Sequence, residues 1–334
     1  MSDKKELLAD KILHQIRPRP GRKIDPVRLA KSLKVPKEEF EAAVGLLGEW
    51  GYKIKSGKKG LLTLTGTPDS LLAEEIYFKL KTKSIGRKVY AYRSVQSTNT
   101  IAAQLVNSSA PEGTVVIAEH QTRGRGRLGR SWHSPEKVGI YCSIILKPRL
   151  HPTLAPGISL IAAIAVADTI ASFDNLKVRI KWPNDVLIDG KKTAGILTEL
   201  SAELDRIKFA VVGIGVNVNH KAGDFPEDIR DSATSISIEL KKEINRIDFV
   251  QRLLYNFEKQ YIKFKKYGLE KSRKQILAYS SLIKQNIKLR VGRKTVSGQV
   301  LDIDEIGRLV IETENGIERF MAGEVTMHMA DGHR

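Results

Sequence analysis

The segment Val115-Val116-Ile117-Ala118-Glu119 is followed, after three residues, by Arg123-Gly124-Arg125-Gly126-Arg127-Leu128-Gly129-Arg130. The first segment is apolar enough for a buried strand, and the glycines of the second match the G-x-G-x-x-G spacing of dinucleotide-binding folds. That fingerprint requires a helix to open within it, whereas here Ser131-Trp132-His133-Ser134 leads to Pro135, which stops a helix. We therefore interpret the loop as an anion-binding loop that orders on its ligand, because glycine is flexible and arginine donors suit phosphate and carboxylate. A solvated basic loop that touches nucleic acid is the alternative.

The composition is that of an ordinary soluble protein, with 334 residues, 41% hydrophobic and 28% charged. This length predicts two or three domains. A net charge of +18 favours anionic partners, such as nucleotides, nucleic acid or an acidic protein, without choosing among them. The single cysteine, Cys142, excludes an internal disulfide and lies in an apolar segment typical of a buried strand. The start of the chain lacks the apolar run of a signal peptide, and Ile158–Ala171 is too short to span a bilayer, so we expect a cytoplasmic protein without a membrane segment.

Residues 1–68 read as a small separate unit of three helices and a hairpin. Apolar spacing predicts helices over Lys4–Ile16, Asp25–Leu33 and Lys37–Trp50, and the hairpin has a basic tip. This pattern predicts a winged helix-turn-helix that binds DNA through the third helix and the wing, with Lys37, Lys58 and Lys59 as candidate contacts.

The charge of the third helix opposes this interpretation. It carries Glu38, Glu39, Glu41 and Glu49 against Lys37, and phosphates repel carboxylates. A structural or interdomain role is the alternative, so operator binding is in doubt.

An α/β domain follows, from residue 86 to 281, after a linking helix over Leu71–Lys83 within residues 69–85. Ser97-Thr98-Asn99 precedes a predicted helix, where small polar residues either cap the helix or hydrogen-bond a ligand at its N-terminus. The Ala- and Ile-rich segment Ile158–Phe173 predicts a core helix.

Polar residues interrupt the apolar segments that follow. We predict a strand over Val178–Ile188, a tight turn at Asp189-Gly190 and a return strand over Lys191–Leu200. Burying charged or amide side chains without partners is costly, so a ligand site is favoured over a plain sheet. The interrupting residues are Lys181, Asn184, Asp185 and Lys192. A further strand over Phe209–Asn219 contains glycines that permit close approach to its backbone and one polar residue, Asn217.

The last part of the chain changes pattern again. A long helix over Asp248–Tyr267 precedes short β segments from Ile283 onward, separated by turns. Residues 282–334 are therefore predicted to form a small antiparallel barrel.

These motifs in this order resemble the biotin protein ligases of the bifunctional ligase/repressor type. The resemblance rests on Ser97-Thr98-Asn99, Gln121, the loop from Gly124 to Trp132, Lys181-Trp182-Pro183-Asn184-Asp185, Lys192 and Gly213-Ile214-Gly215-Val216-Asn217. It extends along the whole chain. It implies an α+β multidomain protein with an N-terminal winged helix-turn-helix, a central α/β catalytic domain with a mixed, class II synthetase-like sheet, and a C-terminal SH3-like barrel.

The resemblance also implies a two-step reaction. Biotin and MgATP give biotinyl-5′-AMP and pyrophosphate, and the adenylate then acylates a lysine of a biotin carboxyl carrier protein, such as a subunit of acetyl-CoA carboxylase. No residue is implied as a metal ligand. A homodimer is implied, through sheet edges of the central domain, and a DNA operator is possible.

Residue roles follow from the same resemblance. Trp132 is expected to stack on adenine and Asn217 to lie near the phosphates. Asp185 is hypothesised on its own residue chemistry to accept the proton of the acceptor lysine or to orient its amine, because it is a carboxylate among apolar strand residues. The implied catalytic residues are Arg125, Arg127, Lys192 and Asp185. The implied biotin-binding residues are Ser97, Thr98, Asn99, Gln121, Arg125, Gly126, Arg127, Lys192 and Gly195. The implied ATP-binding residues are Arg127, Arg130, Trp132, Lys181, Asn184 and Asn217.

Two alternatives remain open on the sequence. A lipoate or octanoate ligase or transferase shares the architecture, and a regulator that senses biotinyl-adenylate without catalysis shares the motifs. Arg123 stands where the family often has a small residue, and the sequence assigns it no role.

Overall fold

The computed structural model describes residues 2–17 and 23–327, which divide into two compact units between Ser70 and Leu71. The first unit contains α1 (Ser2–Ile16), α2 (Pro26–Leu33), α3 (Lys37–Glu49), β1 (Lys53–Ser56) and β2 (Leu62–Gly66). Its apolar side chains Ile12, Leu13, Phe40 and Leu47 are buried together between the helices. The helices thus lie where apolar periodicity predicted them, with ends shifted by one or two residues.

A side-chain cap marks the start of α2, and a two-stranded hairpin follows α3. The Asp25 carboxylate accepts the backbone N–H of Val27 at 2.9 Å, which satisfies a donor at the start of α2. Strands β1 and β2 pair antiparallel, and Ile24 adds an isolated antiparallel bridge to Leu62. Lys37 and Lys58 are exposed, and the side chain of Lys59 lies outside the described part of the chain.

The second unit is built on a central sheet. Its strands are β3 (Val89–Val95), β4 (Val115–Gln121), β5 (Gly139–Leu146), β6 (Val178–Lys181), β7 (Asp185–Ile188), β8 (Lys191–Ala202) and β9 (Ile207–Asn217). Among the described residues they follow the order β3-β4-β5-β9-β8-β7-β6, with only β3 and β4 parallel. The predicted mixed sheet is therefore confirmed.

Helices cover this sheet and connect its strands. They are α4 (Ala73–Phe78), α5 (Thr98–Asn107), α6 (Ala155–Ala171), α7 (Glu227–Arg230), α8 (Ile236–Leu240), α9 (Arg246–Tyr267) and α10 (Glu270–Tyr279). Helix α6 lies against the sheet and α9, and a β carbon at its Gly157 would come within 2.6 Å of the Phe264 ring. A small residue is thus needed where α6 and α9 meet.

The helical segment over residues 152–171, which includes α6, is longer than the helix predicted over Ile158–Phe173. By length and composition, with a mean hydropathy of 1.9, this segment would suffice to cross a membrane. It is 67% buried within the protein, where it forms the centre of the main hydrophobic core.

A second sheet completes the unit. It contains β10 (Asn286–Val291), β11 (Lys294–Ile303), β12 (Leu309–Thr313), β13 (Gly316–Phe320) and β14 (Glu324–Met327). These strands pair antiparallel in the order β13-β12-β11-β10-β14 within the described residues. The Trp182 indole N–H donates to the Gly307 carbonyl at 2.9 Å, which ties this sheet to the turn after β6.

Two sequence predictions about elements were wrong. The linking helix predicted over Leu71–Lys83 is helical only in α4, and at the far end of the predicted range the Glu258 carboxylate accepts the backbone N–H groups of Lys83, Ser84 and Ile85, which are then not free to continue a helix. The strand predicted over 178–188 is two antiparallel strands, β6 and β7, joined by a turn at residues 182–184.

Candidate active site

Glycines of β8 and β9 form the floor of a cavity of about 490 Å³. A β carbon at Gly213 would come within 2.3 Å of the Asn99 Oδ1 atom, and one at Gly215 would come within 2.5 Å of the Trp132 Nε1 and Cε2 atoms. A β carbon at Gly195 would come within 3.0 Å of the Trp132 ring. The glycines therefore let an amide and an indole lie directly on the sheet, which explains why this strand pair lacks side chains there.

One end of the cavity is polar but uncharged. Ser97, Thr98 and Asn99 stand at the start of α5, and Gln121 ends β4, where the parallel pairing with β3 brings it beside them. The Gln121 Oε1 atom accepts from the Thr98 backbone N–H at 2.9 Å, and its Nε2 donates to Ser134 Oγ at 3.0 Å. The Ser97 side chain makes no capping hydrogen bond to α5 in the described structure, so the capping interpretation of this triplet fails for Ser97.

The other end carries cations, three of which are paired with carboxylates. The pairs are Arg125 with Glu199 at 2.8 Å, Lys192 with Asp185 at 2.8 Å, and Arg130 with Glu324 of β14. The last pair shows that the C-terminal sheet contributes to the cavity wall, which Gly323, Glu324, Val325 and Thr326 also line.

Arg127 and Lys181 differ from these paired cations. The Arg127 Nη1 atom donates to the neutral Asn184 Oδ1 at 2.8 Å, and neither Arg127 nor Lys181 has a carboxylate within ion-pair distance among the described residues. Burial lowers the pKa of each below its ordinary value, although Asp185 acts in the opposite direction. A partly desolvated cation without a counter-ion favours an entering anion.

The arginine loop has a compact hairpin geometry over this charged end. The Gly126 N–H donates to the Arg130 carbonyl at 2.7 Å, and the Trp132 N–H donates to the Gly124 carbonyl at 2.9 Å. A β carbon at Gly124 would come within 2.4 Å of the Trp132 carbonyl oxygen, so only glycine fits at that position. Leu128 lies at the tip with a φ of 56° and is 71% exposed.

The cavity brings together nearly all of the site residues that the sequence predicted. Its lining includes Ser97, Thr98, Asn99, Gln121, Arg125, Gly126, Arg127, Arg130, Trp132, Lys181, Asn184, Asp185, Lys192 and Gly195. Asn217 is the exception: its side chain is buried, donates to the Thr234 carbonyl at 3.0 Å and does not line the cavity. Arg123 is exposed and also lies outside the lining.

Sequence reasoning missed three residues that hold the site together. Glu199, Ser143 and Glu324 pair with or orient cavity residues from strands β8, β5 and β14. For Glu199 a signal existed, because strand alternation places it on the same face as Gly195 and Leu197. Ser143 and Glu324 carried no comparable pattern.

Cys142 lies on β5 beneath the cavity and contributes to its lining. It is fully buried, and burial raises the pKa of its thiol to about 12. The predicted strand position in the core is confirmed, and the thiolate required of a nucleophile is disfavoured.

Fold and cavity together define a ligase of the biotin/lipoate class. Residues 91–219 match the model of the biotin/lipoate A/B protein ligase family, and residues 283–327 match the biotin protein ligase C-terminal domain.

Individual relatives narrow this class. The chain is 39% identical to the bifunctional ligase/repressor BirA of Bacillus spizizenii over 277 residues, which are 83% of this chain and 85% of that protein. It is 33% identical to the biotin–[acetyl-CoA-carboxylase] ligase of Mycobacterium tuberculosis, over 69% of this chain and 85% of that protein. A solved structure of a biotin protein ligase from Aquifex aeolicus, in complex with biotin and ATP, matches with a TM-score of 0.63 and 29% identity over 73% of this chain and all of that one. The chain belongs to the biotin protein ligase family.

Proposed function

We propose that this protein activates biotin with ATP and transfers it to a lysine of a biotin carboxyl carrier protein. The observation that carries the proposal is the division of one cavity into an uncharged polar end and a cationic end on either side of a glycine floor. Biotin has a neutral urea ring at one end and a carboxylate at the other, so its two ends match the two ends of the cavity.

In the first step a biotin carboxylate oxygen attacks the α-phosphorus of ATP, and pyrophosphate leaves with the electrons of the broken P–O bond. Negative charges approach each other and then shift to pyrophosphate, so fixed cations must offset the repulsion. Arg127 and Lys181 suit this role because they have no carboxylate partner to give up. Lys192 is available to the carboxylate and the α-phosphate once the ligand competes with Asp185.

Mg²⁺ is proposed to arrive with ATP, where it would neutralise the phosphates. No cluster of three or more histidine, cysteine, aspartate or glutamate side chains with metal-binding geometry occurs within residues 2–17 and 23–327. The protein's contribution to phosphate binding is then made by its arginines and lysines. We propose Arg130, Trp132 and Asn184 as further ATP contacts, since they line the same end of the cavity.

In the second step the acceptor lysine amine attacks the acyl carbon of the adenylate, AMP leaves, and the amine loses a proton. Lysine has an ordinary pKa of about 10.4 and is almost wholly protonated at neutral pH, so the amine must be deprotonated or oriented. The Asp185 Oδ1 atom lies 2.8 Å from Lys192 Nζ and 3.2 Å from Asn184 Nδ2. Because these two contacts hold the Asp185 carboxylate in place at the cationic end of the cavity, we propose that it accepts the proton of the amine or orients the amine.

The uncharged end of the cavity discriminates against the lipoate or octanoate alternative. An alkyl chain would make no hydrogen bonds with Ser97, Thr98, Asn99 and Gln121, whereas the urea ring of biotin offers both donors and acceptors to these side chains. The cavity also keeps the charged groups that adenylation requires, which argues against a non-catalytic sensor. These groups are Arg127 and Lys181, which have no carboxylate partner in the described part of the chain, and the Lys192–Asp185 pair beside them.

We also infer a finer domain organisation. The order of three helices, a hairpin and the Ile24 bridge to Leu62 supports a winged helix-turn-helix over residues 1–68, and the five short antiparallel strands support an SH3-like barrel over 282–334. Residues 69–85 would link the first of these to a catalytic domain over 86–281. The winged unit is proposed to bind an operator, with Lys37, Lys58 and Lys59 near the phosphates.

A homodimer is proposed through an edge of the central sheet. The two edge strands of this sheet are β3 and β6. Residues 280–281 partly cover β6, because Ser280 forms a β-bridge with Ile180 and the Ser281 N–H donates to the Ile180 carbonyl at 3.0 Å. Strand β3 is therefore the more open edge. Sedimentation with and without biotin and MgATP tests this, and a monomer under both conditions would contradict it.

The decisive experiment for the catalytic proposal is transfer of labelled biotin to a purified carrier domain, with pyrophosphate release followed in the same reaction. Label on the carrier together with pyrophosphate is expected. Pyrophosphate without label would limit the proposal to the first step. If neither appears with biotin, octanoate and lipoate are tried next, and activity with either would overturn the assignment of biotin.

A further inference from the structure

Glu199 connects the arginine loop to the uncharged end of the cavity without lining the cavity. It lies on β8 opposite Val211 of β9, and its side chain is 39% exposed. Its Oε2 atom accepts from Arg125 Nη2 at 2.8 Å and from Asn99 Nδ2 at 2.8 Å. One carboxylate oxygen therefore holds a residue of the arginine loop and a buried residue of α5.

The contact with Glu199 fixes which way the Asn99 amide points. Its Nδ2 atom faces Glu199 and, at 3.3 Å, the Leu197 carbonyl, so its Oδ1 atom faces Ser143 Oγ at 2.6 Å. A carboxylate accepts hydrogen bonds and cannot donate them, so an ionised Glu199 disfavours the flipped amide. Without that carboxylate, the Leu197 carbonyl would be the weaker remaining restraint.

The orientation continues from Asn99 to Gln121. Ser143 Oγ also lies 2.7 Å from Thr98 Oγ1, which contacts Gln121 Oε1 at 3.2 Å. Hydrogen bonds that follow one another in a chain polarise each other. The charge of Glu199 at one end of this chain therefore influences which atoms act as donors and acceptors as far as Gln121.

We propose that Glu199 is a positioning residue for biotin recognition. It holds Arg125 in place and sets the orientation of Asn99, so that the uncharged end presents one arrangement of donors and acceptors to a urea ring. The inference rests on the proposed function. A urea requires acceptors for its N–H groups and donors for its carbonyl at fixed places, and an amide free to flip would mispair with one of them.

Glu199 differs in this respect from the other carboxylates beside the cavity. Glu324 pairs with Arg130 and Arg290, and both partners are cations. Asp185 pairs with Lys192 and contacts the neighbouring Asn184, at the cationic end. Among the described carboxylates, only Glu199 couples a loop cation to the buried amide of the uncharged end.

The test compares Glu199→Gln and Glu199→Leu with the control Glu203→Gln. Glu203 lies in the same β8–β9 hairpin and pairs with Arg206 at 2.8 Å and Lys208 at 3.0 Å, away from the cavity lining. The readouts are KM for biotin, KM for ATP, kcat and melting temperature. Calorimetric titration with biotin alone measures binding without turnover.

Glu199→Leu is expected to raise the biotin KM and Kd about tenfold, with the ATP KM nearly unchanged, because it removes a charge-assisted acceptor from Arg125 and Asn99. Glu199→Gln keeps an oxygen acceptor but loses the charge and gains a donor, so a smaller rise is expected. The control should behave as the wild type. An unchanged biotin affinity in both Glu199 variants would overturn the inference.

A parallel rise in both KM values with a lower melting temperature would indicate a general structural role and would equally overturn it. Should Glu199→Leu fail to fold, the nearly isosteric Glu199→Gln still decides the question through biotin affinity. Failure of the wild type to ligate biotin would count against the proposed function, whereas the calorimetric comparison would still decide the role of Glu199.

Discussion

The positive charge of Arg127 is the one most clearly available to an anionic ligand. Its guanidinium is partly buried and bonded to the neutral Asn184, and burial lowers its pKa. Replacing it with alanine should slow adenylate formation by roughly one to two decades, since a charged hydrogen bond contributes about 1.5–3 kcal/mol and 1.36 kcal/mol is one decade. Pyrophosphate release measures this. Arg206→Ala, at an exposed ion pair of the β8–β9 hairpin, is the control, and an equal loss there would contradict a specific role.

Gly215 should be intolerant of even a methyl group. A β carbon there would lie 2.5 Å from the Trp132 indole, so either the ring or the strand must move. Gly215→Ala is expected to weaken binding of biotin and ATP while costing about 1–3 kcal/mol of stability. Calorimetry and urea unfolding measure the two effects. Gly223→Ala is the matched control, because nothing lies within 4 Å of its β carbon, and normal ligand binding by Gly215→Ala would refute the proposed floor.

His220 predicts how stability changes with pH. It is buried against Phe225 and Tyr141, its Nδ1 atom has no hydrogen-bond partner among the residues that the structure describes, and burial lowers its pKa to about 4. In the unfolded chain histidine titrates near pH 6.5, so the unfolded state binds the proton first as the pH falls. Stability is therefore full above pH 6.5 and is lost between about 6.5 and 4, amounting to about 2 kcal/mol at pH 5.

The variant His220→Phe should remove this part of the pH dependence. Urea unfolding at pH 7.5 and pH 5 measures it, and the wild type and the variant must differ in slope for the explanation to hold. An equal loss of stability in both proteins would assign the acid sensitivity to other groups.

Many of the residues that line the cavity could be predicted from the sequence, because charged and amide residues stand out within apolar strands. Lys181, Asn184, Asp185 and Lys192 stood out in this way, and the cavity contains all four. Asn217 stood out for the same reason but is satisfied inside the core by Thr234. A polar residue in a strand shows that a partner is needed, but sequence does not distinguish a ligand from a backbone carbonyl.

Among the structural elements, the arginine loop is expected to become protected from proteolysis when ligand binds. Its backbone is held by a few hydrogen bonds among its own residues, and the side chains of Arg125 and Arg130 are about half and two-thirds exposed. Contacts with an adenylate should order it and shield its arginines from trypsin. We expect biotin with MgATP to slow cleavage within residues 123–130, read by mass spectrometry, with cleavage after Lys241 as an internal reference. Equal cleavage with and without ligand would contradict a loop that closes on its ligand.

Elements with strong periodicity were predictable, and those set by distant contacts were not. Apolar spacing predicted the helices α1 to α3, and the Ala- and Ile-rich composition of its segment predicted α6. The non-helical segment after α4 is held at Lys83 by Glu258, which lies 175 residues away along the chain. Strand β14 is short and was not predicted, yet Glu324 within it pairs with Arg130 of the loop. Long-range hydrogen bonds of this kind leave no local pattern.

The molecule as a whole is basic, which favours DNA binding by the proposed winged unit. The net charge is +18, and α2 exposes Arg28 and Lys31, followed by Lys34. The exposed face of α3, however, carries Glu38, Glu41 and Glu49. Base edges are read by donors such as arginine and asparagine, so a helix with this face adds little sequence discrimination. The cations beside it should still contact phosphates.

We therefore expect binding to the gene's own upstream DNA that falls steeply with salt and is limited by the acidic face of α3. The double variant Glu38→Gln/Glu41→Gln removes two charges that repel phosphates, and each exposed charge is worth about 0.2–1 kcal/mol, so affinity should rise about threefold or more at low salt. Mobility shift measures it, with and without biotin and MgATP, and the double variant Glu203→Gln/Asp205→Asn, which also removes two acidic charges, controls for the change in net charge. A gain that persists at high salt would argue for new base contacts instead of relieved repulsion. If neither the wild type nor the variant shifts this DNA at low salt, α3 is not a recognition helix for this DNA, and the proposed operator-binding role fails while the ligase assignment stands.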